Sequence, residues 1–210
     1  MKEIGFKTSS EFYNNQYKHI IYEDDKLLPY FTENHKYEFV KATQGCGKTH
    51  CSLDYIQQNP KLKFLYVSIG KAIGQDFLNS CKTRNITVDH YENKKFNTKT
   101  QVHIWEYESL WKIKYTDFDV LILDEFVSLI NNTIISSTNG KHIRSNFNIL
   151  KTFVHKAQNV LCLSADINPS IVNTFLNEFN IKDAPVLIQE NEKIILLIQH
   201  IPCFLTNIFL

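Results

Sequence analysis

Ala42-Thr43-Gln44-Gly45-Cys46-Gly47-Lys48-Thr49 is the stretch of sequence that decides the fold. It follows an apolar, strand-like segment, residues 37–40, and leads into a helical pattern. A loop that binds phosphate needs this setting and the pattern G-x-x-x-x-G-K-[ST], of which only the first glycine is replaced here, by Ala42. Gly45 and Gly47 let the backbone curl so that its N–H groups face phosphate oxygens, and the following helix adds the positive end of its dipole.

This loop predicts the cofactors of the protein and the residues that hold them. Lys48 is expected to reach the β- and γ-phosphates of ATP, and the Thr49 hydroxyl is expected to bind Mg²⁺. The alternative interpretation is a glycine-rich turn between a strand and a helix, with a chance Lys-Thr pair. The residues expected to contact the nucleotide are Thr43, Gln44, Gly45, Cys46, Gly47, Lys48 and Thr49.

A second motif strengthens the first. Residues 120–123 are continuously apolar, as in a parallel strand that is buried on both faces, and Asp124 and Glu125 follow directly. Open α/β sheets bind ligands at the carboxyl ends of their strands, and two acids there are costly unless they meet a cation or water. We therefore expect Asp124 to hold hydrated Mg²⁺ and Glu125 to activate an attacking water, with Lys48 as the third catalytic residue. A strand that ends in a solvated acidic turn is the alternative.

The order of apolar patterns along the 210 residues predicts an α/β fold, with one parallel sheet and helices on both faces. Strands are expected at 37–41, 63–69, 86–91, 101–105, 120–123 and 160–164, and helices at 48–57, 71–82, 108–113, 146–156 and 169–179. Residues 126–142 have a mixed pattern, with a flexible tip at 136–140. We divide the chain into an irregular arm (1–36), a single P-loop NTPase domain (37–190) and an apolar tail (191–210). The tail is either a terminal strand with a partner or part of a truncated second domain.

Composition narrows the class of protein. A formal net charge of +1 argues against a strongly basic grip on nucleic acid but leaves room for a local basic face. The five cysteines form no C-x-x-C pair, so reduced thiols in an intracellular protein, in the nucleus or the cytoplasm, are expected. Polar residues interrupt the apolar tail and the N-terminus is polar, so neither a membrane span nor a secretory signal is expected. Arg84 and Arg144 are the only arginines.

A polar turn follows the strand predicted at 63–69. Ser68 and Lys71 could bind the backbone of single-stranded DNA there, together with amides at the start of the next helix. A plain strand-to-helix turn around Gly70 is an equally good interpretation. We retain Ser68 and Lys71 as candidates for DNA binding.

Leu163-Ser164-Ala165-Asp166 follows the last predicted strand. Ser164 and Asp166 are expected to face the same crevice as Asp124 and to sense the γ-phosphate of ATP through hydrogen bonds. A helix cap by Asp166 or Asn168 is the alternative interpretation.

The four motifs, taken in order, resemble the first motor domain of superfamily-2 helicases, which has a RecA-like fold. They are A-T-Q-G-C-G-K-T, V-S-I-G-K, L-I-L-D-E and L-S-A-D. More narrowly, the chain resembles the replication origin-binding protein family, whose best-known members are herpesvirus origin-binding helicases. Three stretches carry this narrower resemblance, residues 102–111, 123–130 and 160–167, within a similarity that covers about residues 37–180.

The resemblance implies a nucleotide-driven motor that moves on DNA, either single-stranded DNA or a replication origin, at a site of viral replication. It also implies partners, namely a second motor domain and other replication proteins. The roles it implies are nucleotide and Mg²⁺ binding for Lys48, Thr49, Asp124 and Glu125, and coupling for Ser164, Ala165 and Asp166.

Two features depart from the pattern of that family. Ala42 replaces a glycine, which is tolerable if the position does not need a positive φ. About 30 residues follow Phe179 and contain no arginine, whereas helicases of this class have a second domain with arginine fingers. We therefore expect nucleotide binding, weak hydrolysis at best and no unwinding by these residues alone. The alternative function is a nucleotide-dependent DNA- or protein-binding module without catalysis, and the Asp-Glu pair disfavours a small P-loop kinase.

Overall fold

The computed structural model describes residues 17–22, 35–93, 97, 99–114, 117–134, 142–182 and 186–191. Eight strands lie in these segments: β1 (Tyr17–Tyr22), β2 (Tyr37–Lys41), β3 (Phe64–Ser68), β4 (Val88–His90), β5 (Val102–Glu106), β6 (Val120–Asp124), β7 (Asn159–Ser164) and β8 (Val186–Asn191). The helices are α1 (Lys48–Gln58), α2 (Lys71–Thr83), α3 (Phe126–Ile134), α4 (Ile143–Lys156) and α5 (Pro169–Glu178), with a 3₁₀ helix at Tyr107–Lys112. None of the described helices is long and apolar enough to cross a membrane.

The eight strands form one sheet in the order β1-β8-β2-β7-β6-β3-β5-β4, and every adjacent pair is parallel. All residues of β3 and β6 are buried, which explains their continuous apolar runs. Parallel strands need crossover connections, and the helices of these crossovers cover both faces of the sheet. Helices α1 and α2 pack on one face through Leu53 and Phe77, and α4 and α5 pack on the other through Phe153 and Phe175.

The sheet brings the sequence motifs to one edge. Strand β7 lies between β2 and β6, so its end is flanked by the loop that follows β2 and by the acids that follow β6. In the register of these strands, Ser164 of β7 pairs with Lys41 of β2, and Leu163 pairs with Asp124 of β6. The residues named in the first, third and fourth motifs therefore lie at the carboxyl ends of three neighbouring strands.

The elements predicted between residues 37 and 179 are all present, with ends that differ by up to three residues. Strand β1, however, lies in the predicted irregular arm and pairs with β8. Helix α3 lies in the segment with a mixed pattern, and its Leu129 and Ile130 are fully buried on one face. The predicted tip at 136–140 and residues 192–210 of the predicted tail lie outside the described residues.

Candidate nucleotide-binding site

The phosphate loop, residues 42–49, has the backbone conformation that its glycines predict. Gly45 and Gly47 have φ angles of 84° and 82°, in the left-handed region that glycine adopts without strain. No atom lies within 4 Å of where a Cβ on Gly45 would be, so backbone conformation rather than lack of space requires glycine there. Ala42 has no positive φ and is buried in the same core cluster as Leu53 of α1. Alanine can therefore replace the first glycine of the usual pattern.

Lys48 begins α1 and is half-buried against the loop. Its Nζ donates hydrogen bonds to the carbonyl oxygens of Ala42 at 2.5 Å and Thr43 at 3.1 Å. Lys48 lines the same cleft as Asp124 and Glu125, and its positive charge opposes the rise in the pKa of both acids. The structure thus brings the predicted lysine and the predicted acid pair together.

Asp124 ends β6 and is buried, with 9% of its surface exposed. Its Oδ2 accepts a hydrogen bond from the hydroxyl of Tyr66, and its Oδ1 accepts one from the backbone N–H of Glu125 at 3.0 Å. Burial raises the pKa of Asp124, and the two hydrogen bonds and Lys48 oppose that rise only in part. A nearby cation would favour the ionised form of this carboxyl group, which is the behaviour expected of a Mg²⁺ ligand.

Tyr66 of β3 is a site residue that the sequence analysis missed. It is buried, and its ring stacks on Phe77 of α2 with centroids 3.7 Å apart and planes 6° apart. Burial, and then the charge of Asp124, raise the pKa of Tyr66 well above its ordinary value, so the phenol keeps its proton and donates it in the hydrogen bond. An aromatic residue in an apolar strand is typical of core packing, and only the adjacency of β3 to β6 reveals its polar contact.

Glu125 has a left-handed backbone conformation, with φ at 49°. Its carbonyl accepts a hydrogen bond from the N–H of Leu129 at 3.0 Å, so the turn leads directly into α3. A non-glycine residue in this conformation costs about 1–3 kcal/mol, and such residues cluster at functional sites. Burial raises the pKa of Glu125, and the charges of Asp124 and Asp166 add to the rise. Glu125 is therefore a stronger base than an ordinary glutamate.

The predicted catalytic and Mg²⁺ residues meet in one cleft of about 630 Å³. Its lining consists of Gln44, Gly45, Gly47, Lys48, Thr49, His50, Leu53, Tyr66, Ile73, Asp76, Phe77, Ser80, Thr83, Arg84, Asp124 and Glu125. Two of the predicted nucleotide contacts, Thr43 and Cys46, do not belong to this lining. Their side chains contact each other instead, with Oγ1 and Sγ 3.0 Å apart, and stabilise the turn of the loop.

Arg84 lies in the wall of the cleft, directly after α2. Its Nη1 donates to the carboxylate of Asp54 and to Oε1 of Gln57 at 3.1 Å, and its Nη2 lies 2.5 Å from Nδ1 of His50. Only 18% of its side chain is exposed. The guanidinium is thus held by three side chains of α1 and fastens the end of α2 to that helix.

The predicted coupling residues lie beside the cleft rather than in its lining. Ser164 is buried, and its carbonyl accepts a hydrogen bond from the N–H of Ala42 at 3.1 Å, which ties β7 to the phosphate loop. Asp166 is exposed, and its charge adds to the raised pKa of Glu125. The cap of α5 is Asn168, whose Oδ1 accepts a backbone hydrogen bond at 3.1 Å, so Asp166 is not the cap.

The two predicted DNA contacts have different outcomes. Ser68 is 1% exposed, and its Oγ lies 3.0 Å from where a Cβ on Gly74 of α2 would be. Ser68 is therefore a buried residue packed against α2, and the expectation that it contacts DNA is corrected. Lys71 is exposed at the start of α2, with its Nζ 3.4 Å from Oε1 of Glu92, and it stays a candidate.

The oxygen atoms of the cleft suit Mg²⁺. Thr49 offers a hydroxyl and Asp124 a carboxylate in the same lining. Mg²⁺ usually binds a protein through one or two carboxylates and completes its shell with phosphates and water. In the part of the chain that the structure describes, no group of three or more His, Cys, Asp or Glu side chains could hold a metal ion by itself. The donor set therefore fits a Mg²⁺ ion that arrives with a nucleotide.

Comparison with known proteins agrees with the motifs. A family model described as origin of replication binding protein matches residues 26–189. The replication origin-binding proteins of human herpesvirus 6A (strain Uganda-1102) and human herpesvirus 6B (strain Z29) are each 28% identical to this chain over 145 residues. The match covers 66% of this chain and 18% of each relative, so the chain spans less than a fifth of their length.

Solved helicase structures share the fold. Mss116p bound to ssRNA and AMP-PNP has a TM-score of 0.58 at 14% identity, over 77% of this chain and 37% of that chain. A hypothetical ATP-dependent RNA helicase from Sulfolobus tokodaii has a TM-score of 0.53 at 16% identity, over 73% of this chain and 48% of that chain. These likenesses confirm the predicted fold class, a RecA-like α/β domain. Because the family model matches residues 26–189 of 210, the chain belongs to the family of origin of replication binding proteins.

Proposed function

We propose that this chain is the ATP-binding motor domain of an origin-binding, helicase-like protein, and that it binds ATP, Mg²⁺ and DNA. The observation that carries the proposal is the single cleft in which Lys48, Thr49, Asp124 and Glu125 meet. Parallel α/β sheets bind ligands at this carboxyl edge. Mss116p, which shares the fold, is bound to ssRNA and AMP-PNP in its structure, and this supports the choice of ligands.

Each polar side chain of the cleft has its own role in this proposal. Lys48 exchanges the carbonyl oxygens of the loop for oxygens of the β- and γ-phosphates. Thr49 and Asp124 would hold Mg²⁺, and the ion, when bound, would supply positive charge that neutralises the phosphates. Glu125 accepts a proton from the attacking water. Asp166, whose charge acts on Glu125, is proposed to respond to the γ-phosphate together with Ser164 and Ala165.

DNA is proposed to run along the same edge of the sheet, past Lys71 at the start of α2. With a formal net charge of only +1, the chain should bind a single strand weakly and lose affinity quickly as salt rises. A second motor domain and other replication proteins are the proposed partners. The herpesvirus relatives support a role in viral replication, inside the nucleus or the cytoplasm of an infected cell.

Replacing Lys48 by alanine should weaken ATP binding about 10- to 100-fold. The reason is that a hydrogen bond to a charged group contributes about 1.5–3 kcal/mol, and each 1.4 kcal/mol is a factor of ten. Isothermal titration calorimetry of ATP in the presence of Mg²⁺ measures the change. Lys61→Ala, at an exposed lysine in the turn between α1 and β3, is the matched control. An unchanged dissociation constant for Lys48→Ala would remove the phosphate loop from the proposal.

Replacing Tyr66 by phenylalanine should lower the free energy of unfolding by about 1.5–3 kcal/mol and weaken binding of Mg²⁺ with ATP. The variant keeps the stack on Phe77 but leaves a buried carboxylate, Asp124, without its phenol donor. Urea denaturation and a Mg²⁺ titration at fixed ATP give the two quantities. Tyr55→Phe, at a half-buried tyrosine of α1 outside the lining of the cleft, is the control. If both quantities match the parent protein, Tyr66 does not position Asp124.

A further inference from the structure

Trp111 is the one large hydrophobic side chain that is exposed among the described residues, with 42% of its surface accessible. Its indole lies parallel to the imidazole of His142, with ring centroids 4.1 Å apart and planes 11° apart. The Nζ of Lys112 lies 5.4 Å from the centroid of the indole. The protein thus presents a flat aromatic pair, Trp111 and His142, next to a cation.

The backbone under this aromatic pair is fastened to the core. The N–H of Trp111 donates to Oδ1 of Asn146 in α4 at 2.7 Å, and Nδ2 of Asn146 donates to the carbonyl of Glu108 at 3.1 Å. Asn146 is 3% exposed. A buried amide therefore holds both ends of the 3₁₀ helix, so that the exposed ring is presented on a fixed support.

The aromatic pair lies at the carboxyl edge of the sheet. The 3₁₀ helix follows the end of β5 directly. Helix α4 ends three residues before β7 starts, at the amino edge, and its 14 residues span about 21 Å, so its first turn and His142 lie at the opposite edge. Strand β5 is adjacent to β3, which leads into Lys71. Trp111 and Lys71 therefore follow the ends of neighbouring strands, on the edge that also carries the cleft.

The charged residues that neighbour the pair along the chain are mainly positive. Within three positions of Trp111 or His142, the charged residues that the structure describes are Lys112, Lys114, Arg144 and Glu108, and all four are exposed. A protein interface would be expected to surround a tryptophan with further apolar residues. No second large hydrophobic side chain is exposed in the described residues. Within the described residues, an aromatic pair that has no apolar surround and is flanked mainly by cations better fits a base and its phosphates.

We propose that Trp111 and His142 form a stacking platform for an unpaired base of single-stranded nucleic acid, with Lys112 and Arg144 near the adjoining phosphates. The inference rests on the proposed function, because it needs a strand that runs along the carboxyl edge. Stacking of a base on an aromatic side chain tolerates any sequence, since every base has a flat face. The platform would therefore grip a strand through its bases, whereas Lys71 would act on its backbone.

The experiment compares two oligonucleotides, oligothymidylate and an abasic strand of the same length, by fluorescence anisotropy. Trp111→Ala should weaken binding of oligothymidylate about 5- to 150-fold and leave binding of the abasic strand unchanged. Trp111→Phe should recover part of the loss. Lys71→Gln, the comparison variant, should weaken both strands alike and reduce the salt dependence, because it removes a phosphate contact. Oligothymidylate should also quench the tryptophan fluorescence of the parent chain, and Trp111→Phe should abolish the quenching.

The outcomes separate the platform from the proposed function. If the parent chain binds oligothymidylate and Trp111→Ala binds it equally well, the platform is overturned and the proposed function stands. If Trp111→Ala weakens both strands by the same factor, the residue acts through the fold, and the platform is again overturned. If the parent chain binds neither strand, DNA binding and the platform both fail. Thermal melting by circular dichroism shows whether each variant is folded.

Discussion

Glu125→Gln should lower the rate of ATP hydrolysis about 10²–10⁴-fold and leave the affinity for ATP within a few-fold of the parent chain. Glutamine has the shape of glutamate but cannot accept the proton of the attacking water. Glutamine and glutamate have the same backbone preferences, so the left-handed conformation at this position costs both residues about the same. The turn into α3 should therefore be unchanged. Burial and the charge of Asp124 raise the pKa of Glu125, which strengthens the base that the substitution removes.

A single-turnover measurement with enzyme in excess over labelled ATP makes a slow rate accessible, and calorimetry gives the affinity. Asp76→Asn is the matched control, because Asp76 is an exposed acid that lines the same cleft from α2. It should hydrolyse ATP at close to the parental rate. A Glu125→Gln protein that hydrolyses ATP as fast as its parent would exclude Glu125 as the base.

The meeting of Lys48, Asp124 and Glu125 in one cleft was predictable because these residues belong to local patterns. The glycine turn before Lys48 and the acids after β6 are each contiguous in sequence, and a parallel sheet brings the carboxyl ends of its strands to one edge whatever their order. No local sequence pattern predicts the strand order β2-β7-β6 or the left-handed φ of Glu125. They depend on how distant segments pack.

Strand β3 shows where sequence reasoning failed. Tyr66 and Ser68 are two residues apart in a strand, so both face α2, where Phe77 stacks on the tyrosine and Gly74 lies against the serine. Side chains two positions apart in a strand lie on the same face, so a buried Tyr66 predicts a buried Ser68. The prediction of a surface turn relied instead on the polar character of serine. The pairing of β1 with β8 was out of reach for another reason, because it joins segments more than 160 residues apart.

The second prediction with a large expected effect concerns the arginine that ATP hydrolysis needs in addition to the residues of the cleft. In related NTPases an arginine stabilises the phosphoryl group during its transfer, and this arginine raises the rate of hydrolysis about 10³–10⁵-fold. Arg84 lines the cleft but is held by Asp54, Gln57 and His50. Arg144 is exposed on α4, on the other face of the sheet from α1 and α2. Neither arginine is therefore assigned to the phosphates of ATP.

We expect the 210-residue polypeptide to hydrolyse ATP slowly and to displace no DNA strand. A second motor domain that carries an arginine, added as a separate polypeptide, should raise the rate of hydrolysis about 10³–10⁵-fold. The same second domain with its arginine replaced by alanine is the control and should give no such increase.

Arg84→Lys, which keeps the positive charge beside Asp54, should leave the slow basal rate of ATP hydrolysis within a few-fold of the parental rate. ATP binding without any turnover, even with the second domain present, would instead favour a nucleotide-dependent binding module. Two outcomes would show that the catalytic positive charge is already within this domain. One is a loss of about 10³-fold in the rate of ATP hydrolysis in Arg84→Lys. The other is strand displacement by the 210-residue polypeptide that Lys48→Ala abolishes.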